Sequence, residues 1–239
     1  MKKLSLILAA ITLGTIASAQ DKTNMKFVGT GVGRSDVQIR FDGQTKNVFA
    51  GQLKHNFNGG VGSLEWLNGK TVSTFCSEPT QVVSSTRIQY DRVNVPQLDP
   101  NVWSVNGGAK QKAIDTLFKM AYGTVTAASA SNNEAAAFQI AVWKIGYDYD
   151  GTANSLNLGA GRFTAGLRGG QGLDSNLQAK VDTYLAASMT NIDAAGTAIA
   201  LHSDCNQDQL TAVPEPATMA ALGIGIAGLL RRRRKQNAA

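Results

Sequence analysis

The chain has 239 residues, 23 of them Lys or Arg and 17 Asp or Glu, for a formal net charge of +6. Seven of the basic residues lie at the two ends, and with Glu215 also set aside the body from 20 to 213 carries 16 basic against 16 acidic side chains. A neutral body excludes the electrostatic footprint of a nucleic-acid binder, so the basic excess belongs to targeting and no nucleic-acid partner is expected.

In chain order, the first element is a predicted signal peptide over residues 1–19. Lys2 and Lys3 precede an apolar stretch from Leu4 to Ile16, and Ala17-Ser18-Ala19 gives signal peptidase its small-x-small pattern. Cleavage after Ala19 would leave Gln20 as the first residue. Export permits disulfides, and there are two cysteines, Cys76 and Cys205. With only His55 and His202 as histidines, and no CxxC or HxxxH spacing, no metal site and no cofactor are expected.

From Lys26 to Cys76 the pattern is that of short antiparallel strands. Val37, Ile39 and Phe41 alternate with Gln38, Arg40 and Asp42, and Val48 to Phe57 follows a Gly-containing turn. Gly59-Gly60 and Asn68-Gly69 mark later turns. The run Gly29-Thr30-Gly31-Val32-Gly33 lacks the spacing of a dinucleotide fingerprint and reads as hairpin or strand-edge glycine.

The period then changes. Ile114, Leu117, Phe118 and Ala121 predict a helix over 109–122, and a second over 133–145 opens with Ser131 and Glu134, a capping-box pair. A third is predicted over 175–188. The six glycines between 159 and 173 read as a mobile loop, 197–202 as a closing strand and 206–212 as a linker. The fold class is α+β: an antiparallel β-sandwich or barrel-like domain over 20–205 with a helical insertion at about 107–190, followed by a short C-terminal membrane helix.

That helix lies in the last segment, 213–239. Pro214-Glu215-Pro216 precedes a 14-residue apolar run over 217–230, then Arg231, Arg232, Arg233, Arg234 and Lys235. The run is shorter than the roughly 20 residues of a comfortable membrane span, and the basic cluster is expected to stay cytoplasmic. The segment resembles the PEP-CTERM sorting signal, through Val213 to Thr218, the apolar run and the Arg cluster, in that order. The resemblance implies an exosortase-type enzyme cutting near Pro-Glu-Pro and a transient anchor in the inner membrane. The destination it implies is the cell envelope or extracellular matrix.

Two motifs in the body bear on chemistry. Cys76 follows Phe75 at the end of a predicted strand, and Gln139 lies within Phe138-Gln139-Ile140-Ala141-Val142-Trp143 on the second helix. Residues three and four apart share a helix face, so the Gln139 amide points into an apolar patch with Ala135, Ala136, Val142 and Trp143. A buried amide left unpaired costs about 1–3 kcal/mol, so it needs a partner. Backbone hydrogen bonds would serve. So would a covalent link, in which the Cys thiolate displaces ammonia from the carboxamide to give a thioester.

The pair resembles the thioester domains of bacterial surface adhesins. By that resemblance Cys76 and Gln139 would be the bonded pair, with Phe75, Phe138, Val142 and Trp143 around them. The reaction implied is one acyl transfer to an amine or hydroxyl on a surface protein or polysaccharide, so the protein is not expected to be a turnover enzyme. Ser77 departs from the bulkier residue common after the Cys. Cys205 also departs from the pattern, because a Cys76–Cys205 disulfide would exclude the thioester, and two free thiols are the third possibility.

Other classes of function have weaker support. A non-covalent structural or carbohydrate-binding envelope protein would use Trp66 and Trp103, expected on strands, as stacking platforms. A hydrolase lacks a GxSxG elbow, Asp148 and Asp150 read as turn caps, and adjacent His202, Ser203 and Asp204 are not triad geometry.

Overall fold

The computed structural model describes residues 21–213, so the predicted signal peptide, the Pro-Glu-Pro stretch, the apolar run and the Arg cluster lie outside the described residues. The chain opens with a long hairpin, β1 (Lys22–Phe41) and β2 (Gln44–Asn58), turned at Asp42-Gly43. Both turn residues have positive φ, 46° and 79°, the backbone that an Asp-Gly pair adopts in a two-residue hairpin. The glycine run lies inside this hairpin, on the stretch of β1 that pairs with β2 alone. A Cβ on Gly33 would sit 2.5 Å from the Ala50 carbonyl oxygen, so the backbones approach closely where the register shifts.

Next come β3 (Thr71–Cys76) and β4 (Ile88–Val93), then α1 (Pro100–Trp103), α2 (Gly107–Thr126) and α3 (Asn132–Asp148). The chain continues through β5 (Phe163–Leu167), α4 (Ser175–Ser188), β6 (Ala198–His202) and β7 (Gln209–Ala212). All pairings are antiparallel, in the order β2-β3-β7-β6-β4-β1, and β1 pairs again with β2 so that the ladder closes on itself. β5 extends the far end of β1. The fold is therefore mixed helix and sheet around one large antiparallel sheet.

Helix α3 runs across β1 and β2 and is flanked by α2 and α4. Its residues from Ala135 to Tyr147 are all buried, so it is the central rod of the larger hydrophobic core. Its start is fixed by a capping box: Ser131 Oγ accepts from the Glu134 N–H, and the Glu134 carboxylate accepts from the Ser131 N–H at 2.7 Å.

Three expectations need correction. The segment 206–212 is not a linker, because β7 sits between β3 and β6 with all four residues buried. Four residues are too few to show a period, and the neighbouring Asn, Gln and Asp made the stretch look solvated. The glycine-rich segment 159–173 is not wholly a loop either. Phe163–Leu167 pairs with β1, so the insertion after β4 contains a strand as well as helices. Trp66 and Trp103 lie on helical turns and not on strands, and Trp103 is fully buried in the core. Its ring offers no platform to a sugar.

Candidate functional site

The candidate site forms where β2 and β3 separate. β3 pairs with β2 only over Thr71–Thr74, and Phe75 and Cys76 are paired on the other side with β7. At Cys76 a side chain replaces the missing strand. Gln139 Oε1 accepts a 2.9 Å hydrogen bond from the Cys76 N–H, and Gln139 Nε2 donates at 2.8 Å to the Cys76 carbonyl. The amide thus supplies one rung of the ladder from a helix, which satisfies two buried backbone groups and both ends of a buried side chain.

Phe138 and Phe75 anchor the two halves. Their rings lie 4.5 Å apart, and Phe138 also meets Phe118 at 5.1 Å and Tyr184 at 5.9 Å. Phe75, Phe138 and Val142 thus belong to the core behind the pair. Trp143, one turn beyond Gln139, belongs to the same core and also reaches the cavity side. It lines a cavity of about 260 Å³ together with Cys76 and Gln139, walled by Val48, Phe49 and Leu53 of β2 and by Pro79, Gln81 and Val83 of the following loop. Among the described residues no charged side chain lines this cavity.

Cys76 is 4% exposed, and its S–H donates to the Glu78 carbonyl at 2.7 Å. Burial, then the charge of Glu78, pushes the thiol's pKa well above its ordinary value, while the Trp143 indole N–H acts in the opposite direction. That N–H has no hydrogen bond of ordinary geometry among the described residues. Cys205 lies exposed in the turn between β6 and β7, and the two cysteines are not joined to each other. The alternative of a Cys76–Cys205 disulfide is therefore corrected: one sulfur is enclosed beneath the β3 end and the other faces solvent.

Glu78 is a site neighbour that the sequence did not single out. Its side chain is fully buried, one carboxyl oxygen accepting a hydrogen bond from the Ser77 hydroxyl and the other having no partner among the described residues. Burial raises its pKa well above the ordinary 4.5, opposed by the Ser77 hydrogen bond and reinforced by the charge of Asp208. A raised carboxyl pKa stabilises the fold fully below about pH 4.5 and loses that contribution as pH rises through the folded-state value. Glu78→Gln should then flatten the pH dependence of the melting temperature, gaining on wild type as pH rises above about 5 and converging with it in acid. Equal slopes for the two proteins would rule out a buried titrating Glu78.

The histidines stand apart from the pair. His55 is buried with Nδ1 2.8 Å from the Thr74 hydroxyl, and burial lowers its pKa to about 4, so it is neutral. For His202 burial acts to lower the pKa, but Asp208 at 2.9 Å and Asp204 at 3.3 Å outweigh it and raise it. Asp208 also accepts the Ser203 N–H, so the His-Ser-Asp neighbours form a turn. Asp148 and Asp150 cap backbone N–H groups at Arg162, Phe163 and Thr152.

Comparison with known proteins bears on the chain's end. Residues 212–235 match the PEP-CTERM protein-sorting motif. The PEP-CTERM motif supports an exported protein sorted by an exosortase-type system, processed by an enzyme of that type and directed to the cell envelope. No curated protein and no solved structure matches the chain. Among the described residues no helix is long and apolar enough to cross a membrane.

Proposed function

We propose that this PEP-CTERM-bearing protein attaches covalently to its surroundings through an internal thioester between Cys76 Sγ and Gln139 Cδ. The observation that carries the reading is the direct contact between these two residues, brought together from 63 positions apart beneath an apolar cavity. In formation, Sγ bonds to Cδ, the Cδ–Nε2 bond breaks, and ammonia leaves with the thiol proton. In capture, an amine or hydroxyl on a surface protein or polysaccharide attacks Cδ, the Cδ–Sγ bond breaks, and a proton returns to the sulfur. The former Gln139 side chain ends as an amide or ester.

The geometry suits both steps. The Cys76 N–H already donates to Gln139 Oε1, the atom on which negative charge develops in each tetrahedral intermediate. Trp143 supplies an N–H that favours charge on the departing sulfur. A thiol held at high pKa leaves slowly, and apolar walls exclude water, so the bond would persist until a nucleophile docks. The apolar run at 217–230 would hold the chain at the inner membrane until processing, and the thioester would act after delivery.

A non-covalent envelope protein is the second reading, favoured by one observation: the two hydrogen bonds to Cys76 leave no Gln139 polar atom unsatisfied. Methylamine separates the two. Under the covalent reading, incubation places an N-methyl amide at Gln139 and leaves Cys76 alkylatable. Since the uncharged cavity admits only the free base, the rate should rise about tenfold per pH unit below the amine's pKa. An unmodified Gln139 peptide at every pH, in protein isolated under conditions that spare thioesters from hydrolysis, leaves only the non-covalent clamp.

A further inference from the structure

We infer that Gln81 is the positioning residue for the incoming nucleophile, its Oε1 accepting the N–H or O–H of the group that attacks Gln139 Cδ. The inference rests on the thioester reading and on the hydrogen bonds made by the polar groups that line the cavity. Gln139 gives both ends of its amide to the Cys76 backbone. Gln207 donates from Nε2 to the Glu78 and Gln81 carbonyls, at 3.2 and 3.0 Å, and its Oε1 accepts from Gln209 at 3.1 Å. The Cys76 thiol is committed to the Glu78 carbonyl. Two polar atoms of the lining are shut off from solvent without a hydrogen-bond partner among the described residues, Trp143 Nε1 and Gln81 Oε1; the indole N–H is a donor, so of the two it is Gln81 Oε1 that can accept the nucleophile's hydrogen.

A buried acceptor without a donor is costly, and such a group invites a ligand that brings one. The group that must enter this cavity to reach Cδ is an amine or hydroxyl, which carries that donor. The Gln81 backbone is well fixed for the task. Its carbonyl is held by Gln207 Nε2, and the next residue's carbonyl accepts the Gln207 N–H at 3.1 Å, so the loop is stitched to the β6–β7 turn. Because no charged side chain among the described residues lines the cavity, an oriented neutral nucleophile replaces general-base attraction as the source of rate.

On capture, the nucleophile's lone pair forms the bond to Cδ while Gln81 holds one of its hydrogens. The Cδ–Sγ pair goes to sulfur, and the proton lost from the new ammonium or oxonium centre ends on Sγ. Gln81 itself is unchanged. The test uses the purified exported protein, with Gln81→Leu and Gln81→Glu beside wild type, and methylamine as the probe. Gln81→Leu should keep the mass deficit left by loss of ammonia, and the melting temperature, but lower the second-order rate of adduct formation about tenfold. Gln81→Glu, which retains an acceptor oxygen, should recover most of that rate. A Gln81→Leu protein that captures as fast as wild type, or a Gln81→Glu protein as slow as Gln81→Leu, overturns this inference while the thioester stands. A wild-type protein without the deficit removes the thioester itself, and the role of Gln81 with it.

Discussion

Replacing Gln139 with Leu should abolish methylamine capture and leave the protein about 2–4 kcal/mol less stable than Cys76→Ala, which should abolish capture too. The difference lies in which groups lose partners. A leucine in place of Gln139 would fill similar space but leave the Cys76 N–H and carbonyl, both bonded to Gln139 and covered by α3, without those hydrogen bonds. Neither variant can form the thioester, but Cys76→Ala keeps the Gln139 amide and with it both rungs. Denaturant melts with the two variants side by side measure this, and equal losses would mean that the clamp contributes nothing beyond its chemistry. A neutral effect of Gln139→Leu on stability would be equally damaging to the geometry described.

The second large effect is expected at the far end of α3. Lys144 is fully buried, with Nζ 2.6 Å from Asp148 and from the Ala160 carbonyl and 3.2 Å from the Phe163 carbonyl. Burial lowers its pKa and the Asp148 charge opposes that shift. Asp148 also accepts the Arg162 and Phe163 N–H groups at 2.6 and 3.0 Å, which ties the start of β5 to the helix. Asp148→Ala should therefore cost about 3–5 kcal/mol, mostly from the unpaired buried charge, and lower the melting temperature by about 10 °C. Adding Lys144→Met should recover part of the loss because the unpaired charge is then gone. A cost of Asp148→Ala below about 1 kcal/mol, with no gain from the second change, would place the ion pair in solvent.

Much of the frame was legible because its signals are local. The third predicted helix, Ser175–Ser188, has the expected bounds, and Ser131 with Glu134 marked the start of α3, since caps depend on residues close in sequence. The Asp42-Gly43 hairpin follows from backbone preference alone. What could not be read depends on partners distant in sequence. Gln209–Ala212 looked like a linker because its burial comes from β3 and β6, and Phe163–Leu167 became a strand only by pairing with β1.

The same division holds at the site. Cys76 and Gln139 are singled out by a short motif, and the need of a buried amide for a partner is physical; its hydrogen-bond partner is the Cys76 backbone. Glu78, Gln81 and Gln207 gave no local sign. A Glu before Pro79 and a Gln in a polar loop look solvated, and the enclosure of Glu78 and of Gln81 Oε1 follows from the turn at 203–208 folding against the strap after β3. Phe75, Phe138 and Val142 were expected to surround the pair. They support it from the core, and the walls of the cavity are instead Val48, Phe49 and Leu53 of β2.

Everything proposed for capture depends on a covalent bond between Cys76 and Gln139, and the intact mass of the exported protein reports that bond. A mass about 17 Da below that of the processed sequence is expected, with the deficit lost in both Cys76→Ala and Gln139→Leu and no alkylatable Cys76 before amine is added. A freshly isolated wild-type protein at full mass, with Cys76 freely alkylated under denaturing conditions and Gln139 an intact amide, would contradict it.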